Sequence, residues 1–154
     1  MSRLLPADTF LYFSPQQDCE RVWVDTIGKA TNHIYISCFG ITNKKIADVL
    51  IAQFQKGVTV KVCVDKMQAA GKGSLINDLK SAGIEVIVKP VGILEHNKFL
   101  DCDGRDGIIG SWNLSESAQR QDNSMVLFLD ETNLVLQIED AWKIIYGRDK
   151  FRAK

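Results

Sequence analysis

His96-Asn97-Lys98-Phe99-Leu100-Asp101-Cys102 runs into the turn Asp103-Gly104-Arg105-Asp106-Gly107 and returns as Ile108-Ile109-Gly110-Ser111-Trp112-Asn113. Leu94–Cys102 reads as one strand and Gly107–Gly110 as a second, short one. The Asp- and Gly-rich segment between them has hairpin chemistry. His96 and Lys98 stand two residues apart, so on a strand both point to the same face. An imidazole beside an ammonium suits a phosphate diester. The imidazole attacks phosphorus or moves a proton near neutral pH. The cation offsets the charge that spreads over the phosphoryl oxygens, and Asn113 adds a neutral donor to them. Lys98 on an otherwise apolar strand is costly unless it faces an anion.

Outward from this hairpin, strands and helices alternate. Thr9–Phe13 reads as a strand, followed by Ser14 as a helix cap with Pro15 at the first helical position. Cys19, Val22, Trp23, Ile27 and Ala30 recur at helical spacing. His33–Cys38 reads as a strand. Thr42 reads as the cap of a helix that carries Ile46, Ala47, Leu50 and Phe54 on one stripe and ends at Gly57. Val58, Val60, Val62 and Val64 alternate as a strand does. Gly73–Ala82 reads as a helix, and Ile84–Lys89 and Ser124–Leu129 as strands. Leu134, Val135, Ile138, Trp142 and Ile145 make a closing amphipathic helix. The pattern predicts one α/β domain over residues 1–154, a central mixed β-sheet with helices on both faces. Gly71-Lys72-Gly73-Ser74 fails the phosphate-loop pattern, since Lys66 stands where a Gly is required and Gly73 where a Ser or Thr is.

A chain of 154 residues suits one domain with a substantial core. Nineteen Lys and Arg balance nineteen Asp and Glu, so no global basic field attracts a polyanion. Any polyanion must be held locally, with Lys44, Lys45, Lys66, Lys72, Lys89, Lys98, Arg105 and Arg120 as candidates. Cys19, Cys38, Cys63 and Cys102 form no Cys-x-x-Cys pair and read as core thiols. No apolar run of about 20 residues predicts a membrane span. Met1-Ser2-Arg3-Leu4-Leu5-Pro6 lacks an apolar signal core, which predicts a cytoplasmic protein, or a periplasmic or secreted one where a signal peptide has been removed. No carboxylate cluster at metal-site spacing accompanies the motif, so neither a metal nor another cofactor is expected.

The order His-x-Lys, four residues, Asp, six residues, Gly-Ser-x-Asn resembles the signature of the phospholipase D superfamily. Here it reads His96, Lys98, Asp103, Gly110, Ser111 and Asn113. From about Leu11 to about Arg148 the chain is most similar to the small single-motif bacterial endonucleases of that superfamily. The resemblance implies metal-independent hydrolysis of DNA or RNA through a covalent phosphohistidine on His96. It also implies a homodimer. The motif occurs once, and the other histidine, His33, has no Lys two residues on. The second imidazole, needed to protonate the leaving oxygen, would come from a two-fold related copy. The rival readings are a non-catalytic nucleic-acid-binding protein of the same fold and a lipid phosphodiesterase. The latter asks for an apolar entrance or a membrane-binding segment, which the sequence does not display.

The expected catalytic set is therefore His96, Lys98, Asn113, Ser111 and Asp122, with Lys98, Asn113, Ser111 and Trp112 touching substrate. Ser111 is read as holding the pocket by hydrogen bonds, and Trp112 as either stacking a base or packing in the core. Asp122 is expected to accept a hydrogen bond from His96 Nδ1, with Glu116 as the alternative. Strand alternation turns Asp103 away from His96, so Asp103 and Gly110 are read as structural. His33 is read as structural too. Asp101 departs from the family pattern, interrupting a run that is usually apolar.

Overall fold

The computed structural model describes residues 8–150, with side chains described through residue 148. Met1–Pro6, read above for a leader, lies outside the described residues. The strands are β1 Thr9–Ser14, β2 His33–Cys38, β3 Thr59–Val64, β4 Glu85–Val88, β5 Lys98–Cys102, β6 Asp106–Gly110 and β7 Asn123–Phe128. They form one sheet in the order β1-β7-β6-β5-β2-β3-β4. β2, β3 and β4 pair in parallel, and the remaining neighbours pair antiparallel. This is the predicted mixed sheet.

The helices are α1 Cys19–Gly28, α2 Lys44–Gln55, the single turn α3 Lys66–Ala69, α4 Ile76–Ser81 and α5 Thr132–Lys150. Strand alternation divides the core between them. Ile34, Ile36, Val60, Val62, Val64, Leu100, Ile108, Met125 and Leu127 pack with Trp23, Ile27, Leu50 and Leu79 of α1, α2 and α4. The opposite face gives Tyr35, Cys63, Phe99 and Phe128 to Ile138 and Trp142 of α5. Trp142 Nε1 donates to Ile36 O at 2.9 Å, so its buried polar atom is paired.

Local chemistry moves several expected boundaries. Asp18, not Ser14, caps α1, accepting from Arg21 N at 3.0 Å. Ser14 completes β1, and its hydroxyl donates to Gln121 O at 2.7 Å. Asn43, not Thr42, caps α2, accepting from Ile46 N at 3.1 Å. α4 starts later than Gly73, because Gly71–Ser74 closes a turn with Gly73 at φ +78. β5 begins at Lys98, four residues after the predicted start, since the Glu95 carboxylate takes the Asn97 N–H out of any ladder.

The register places the C-terminal ends of β1, β2, β3 and β6 and the N-terminal ends of β5 and β7 at one end of the sheet. Ligands of open α/β sheets favour that end.

Candidate active site

His96 lies just before β5, outside the strand, and Lys98 is its first residue. Both nevertheless pack on one platform, Phe39, which follows the C-terminal end of β2. The His96 ring meets Phe39 edge-on, with centroids 5.2 Å apart. Lys98 Nζ stands 5.6 Å from the Phe39 centroid and donates to His96 O at 2.6 Å. Lys98 is only 6% exposed. Burial pulls its ammonium below the ordinary lysine value, opposed by Cys38 and Glu95. A desolvated cation of this kind favours a nearby anion. The His96 ring is exposed and makes no hydrogen bond among the described residues.

Asn113 and Phe39 line one cleft of about 210 Å³ with Gly40, Thr42, Gln68, Ser115, Ser117 and Gln121. The Asn113 Oδ1 atom is buried there without a partner. An unpaired buried acceptor costs about 1–3 kcal/mol, and only a donor such as a hydroxyl or water would satisfy it, while the Nδ2 amide is the group that can donate to a phosphoryl oxygen. Imidazole and ammonium thus meet at Phe39, and the carboxamide lines the cleft that the same ring borders, at one end of the sheet.

Other expected residues stand elsewhere. The Ser111 hydroxyl accepts from Ser124 N at 2.9 Å and donates to Ser124 O at 3.2 Å, extending the β6–β7 pairing. Gly110 permits that pairing: an added Cβ would stand 2.3 Å from Ser124 O. Trp112 is no base-stacking residue. It is 0% exposed, with its ring 6.1 Å from Trp23 in the core beneath α1. An apolar neighbour on the next helix outweighs the solvent-facing option for a large ring.

The Asp122–His96 hydrogen bond is not formed within the chain. Ser14 and Asn123 hold the carbonyls of Gln121 and Ala118, and Asp122 projects outward into a second cleft, of about 550 Å³, with Phe13, Ser14, Gln16, Ser111 and Ser124. Glu116 is no substitute, because it accepts from Lys44 N at 3.0 Å. Asp103 faces away from the site. Its carboxylate accepts from the N–H groups of Thr31, Asn32 and His33, each at 2.8 Å, and from the Thr31 hydroxyl at 3.1 Å. Burial alone would raise this carboxyl, but the backbone N–H groups outweigh it and hold it below its usual value.

Phe39 and Glu95 escaped sequence reasoning, and Lys89 was read only as a cation for a polyanion. Phe39 carried one signal, its place just after a parallel strand. Glu95 and Lys89 form an ion pair of 3.1 Å with side chains 1% and 2% exposed. Glu95 also accepts from Asn97 N and Nδ2, at 3.0 and 2.7 Å, and so anchors the loop that carries His96. Several cations expected to hold polyanion are otherwise engaged: Lys44 with Asp48, Lys45 with Glu20, Lys89 with Glu95, and Arg105 with Asp106 and Asp130. Lys66 and Lys72 are exposed without an acidic partner among the described residues. No described helix is long and apolar enough to cross a membrane.

Residues 23–144 match the family model described as "Cardiolipin synthase, PLD-like domain". A phospholipase D of Rickettsia prowazekii is 28% identical over 142 residues, covering 92% of this chain and 69% of that protein. A mitochondrial cardiolipin hydrolase of Chlamydomonas reinhardtii is 34% identical over 128 residues, covering 83% of this chain and 57% of the relative. The crystal structure of Nuc, a phospholipase D family member from Salmonella typhimurium, superposes with a TM-score of 0.83 at 20% identity, over 90% of this chain and 93% of that one. With the His96–Lys98–Asn113 arrangement at the end of a matching sheet, the chain belongs to the phospholipase D superfamily and is one of its phosphodiesterases.

Proposed function

We propose that this phosphodiesterase hydrolyses nucleic-acid phosphodiesters through a covalent phosphohistidine on His96. The observation that carries the reading is the gathering of His96, Lys98 and Asn113 around Phe39. His96 is exposed and accessible to phosphorus. Lys98 holds a phosphoryl oxygen, and Asn113 supplies an amide to the same group. The polar lining of the cleft, from Thr42, Gln68, Ser115, Ser117 and Gln121, suits sugar and base edges better than acyl chains. Water attacks the phosphohistidine in the second step. The site is completed by a second copy of the chain, whose His96 protonates the leaving oxygen. Asp103, Gly110 and Ser111 serve the geometry of the hairpin and not the chemistry.

A second reading has its own observation. Met67, Val91 and Leu94 are 75%, 80% and 66% exposed and flank the His96 loop. With Lys66 they surround an apolar hollow of about 460 Å³. Such a rim suits entry from a lipid surface, and the relatives named phospholipase D and cardiolipin hydrolase fit it. One experiment separates the readings. The purified protein is incubated in EDTA with labelled single- and double-stranded DNA and RNA, and in parallel with cardiolipin vesicles. Cleavage of nucleic acid, with label trapped on His96 in a denaturing quench, supports the first reading. Cleavage of cardiolipin alone replaces it with the second, and label trapped on His33 refutes the assignment of the nucleophile.

A further inference from the structure

Asp101 breaks an apolar run in the motif strand, and the chemistry at His96 makes no use of it. On β5 it alternates with Lys98 and Leu100, so it points to the opposite face of the sheet, toward α5. There it meets His33 of β2 and Glu139 of α5. His33 Nε2 is 2.8 Å from Asp101 Oδ2 and 3.6 Å from Glu139 Oε2. One ligating atom from each of the three residues lies within 4.8 Å of the others. Asp101 and Glu139 are buried, and the His33 side chain is 13% exposed.

The remaining atoms of these side chains are already engaged. Asp101 Oδ1 accepts from Gly104 N at 2.8 Å. Glu139 Oε1 is bound to Lys143 Nζ. His33 Nδ1 lies 3.4 Å from the Asn32 side-chain amide, and the ring stacks on Tyr35 with centroids 4.4 Å apart. Each residue is thus oriented by an outer partner, and the atoms left over, Nε2, Oδ2 and Oε2, converge. Outer-shell support of this kind is what metal-ligating histidines and carboxylates require. With bonds of about 2.0–2.1 Å, tetrahedral ligand atoms lie roughly 3.3 Å apart, between the two spacings seen. Gly104, at φ +64, leaves the mouth open: a Cβ there would stand 3.0 Å from Glu139 Oε2.

We propose that His33, Asp101 and Glu139 form a three-ligand site for one divalent cation of the zinc type, with water as the fourth ligand. The donor set of one imidazole and two carboxylates fits such an ion. The site joins β2, β5 and α5 on the face turned away from Lys98, so its role is structural. Without the ion, a proton shared between His33 and Asp101 holds the same groups. On binding, that proton leaves to solvent, bonds from Nε2, Oδ2 and Oε2 to the ion replace the His33–Asp101 hydrogen bond, and the ion gives up all but one of its inner waters.

The test uses the full-length protein stripped with EDTA and titrated with zinc by calorimetry. His96→Ala serves as a control against an ion held by paired motif histidines. The expected result is one zinc per chain in wild type and in His96→Ala, with a higher thermal midpoint. Affinity should fall on the order of tenfold or more in Glu139→Gln and His33→Gln. Turnover assayed well below the melting temperature should survive stripping. Should either variant fail to fold, cobalt-loaded wild type decides. A visible tetrahedral spectrum with paramagnetic shifts on the His33 ring supports the site. Zinc binding that is absent, insensitive to Glu139→Gln and His33→Gln, or lost in His96→Ala overturns it.

Discussion

Glu95→Gln tests how the His96 loop is held. The substitution keeps shape but leaves the 2% exposed Lys89 ammonium facing a neutral amide. Removing one charge from a buried pair costs about 3–5 kcal/mol, because the remaining charge stays desolvated. For a domain of this size, each kcal/mol moves the melting temperature by roughly 2–4 °C, so a fall of roughly 6–20 °C is expected. The Gln amide oxygen still accepts from Asn97, so most of the loss comes from the ion pair. Urea unfolding followed by circular dichroism measures the change. A cycle with Lys89→Met isolates the pairwise energy, and the double variant should recover part of the loss. Turnover should fall as well, since His96 follows Glu95 directly and the Glu95 N–H is fixed by Asp65 at 3.3 Å. A Glu95→Gln protein within about 1 kcal/mol of wild type would show that water or the other groups around Lys89 compensate its charge, and would refute the buried-pair value.

Other outcomes follow from the same geometry. His96→Ala should abolish hydrolysis while shifting the unfolding midpoint little, because the ring is exposed; a large loss of stability would contradict that placement. Asp103→Asn should cost about 1–3 kcal/mol, since its carboxylate accepts four hydrogen bonds. Asp122→Asn should stay within about 0.5 kcal/mol, and urea denaturation of both tells whether the order is reversed. Glu20, bonded to Lys45 and Asn43, is held below its ordinary value of 4.5, the Lys45 bond being the largest cause. A lowered folded value means its contribution is full above 4.5 and is lost as pH falls through the folded value. Glu20→Gln should therefore flatten the acid limb of stability against pH, and an unchanged limb would refute the link.

Much of the architecture was legible because period and chemistry agreed. The valines of β3 alternate, α5 carries its apolar stripe, and the Asp- and Gly-rich turn placed β5 and β6 together. What failed was decided by tertiary competition. Ser14 was a good cap by composition, but the Gln121 carbonyl claimed its hydroxyl and Asp18 took the cap. Trp112 sits beside Asn113 in sequence, yet alternation after β6 turns one into the core and the other into the cleft. Asp122 was assigned from the resemblance alone, and the hydrogen bonds of Ser14 and Asn123 fix its backbone facing elsewhere. The His33–Asp101–Glu139 group joins residues far apart in the chain, where no local spacing exists to be read, and the Glu95–Lys89 pair closes across the Pro90–Leu94 loop, whose path no periodicity predicts.

The exposed His96 ring leads to the strongest test of a shared site. Among the described residues the imidazole touches only Phe39 as a ring partner and has no hydrogen-bonding group to set its tautomer or serve as its acid–base counterpart. The reaction asks for a nucleophile and a separate proton donor. The proposed two-fold copy would bring a second imidazole, and with it the second Asn113 and Asp122, to the same end of the sheet. A net charge of zero offers little long-range repulsion to that association. Mixing His96→Ala chains with wild type, after subunit exchange verified by mass, sets the number of imidazoles per site. If both are required, a half-and-half mixture with random pairing retains about a quarter of wild-type activity, the fraction of dimers with two intact copies. If each chain works alone, it retains about half. Linear decline with the wild-type fraction, or full activity in a species that sediments as a monomer, would overturn the shared site and require the proton donor to come from this chain's own residues.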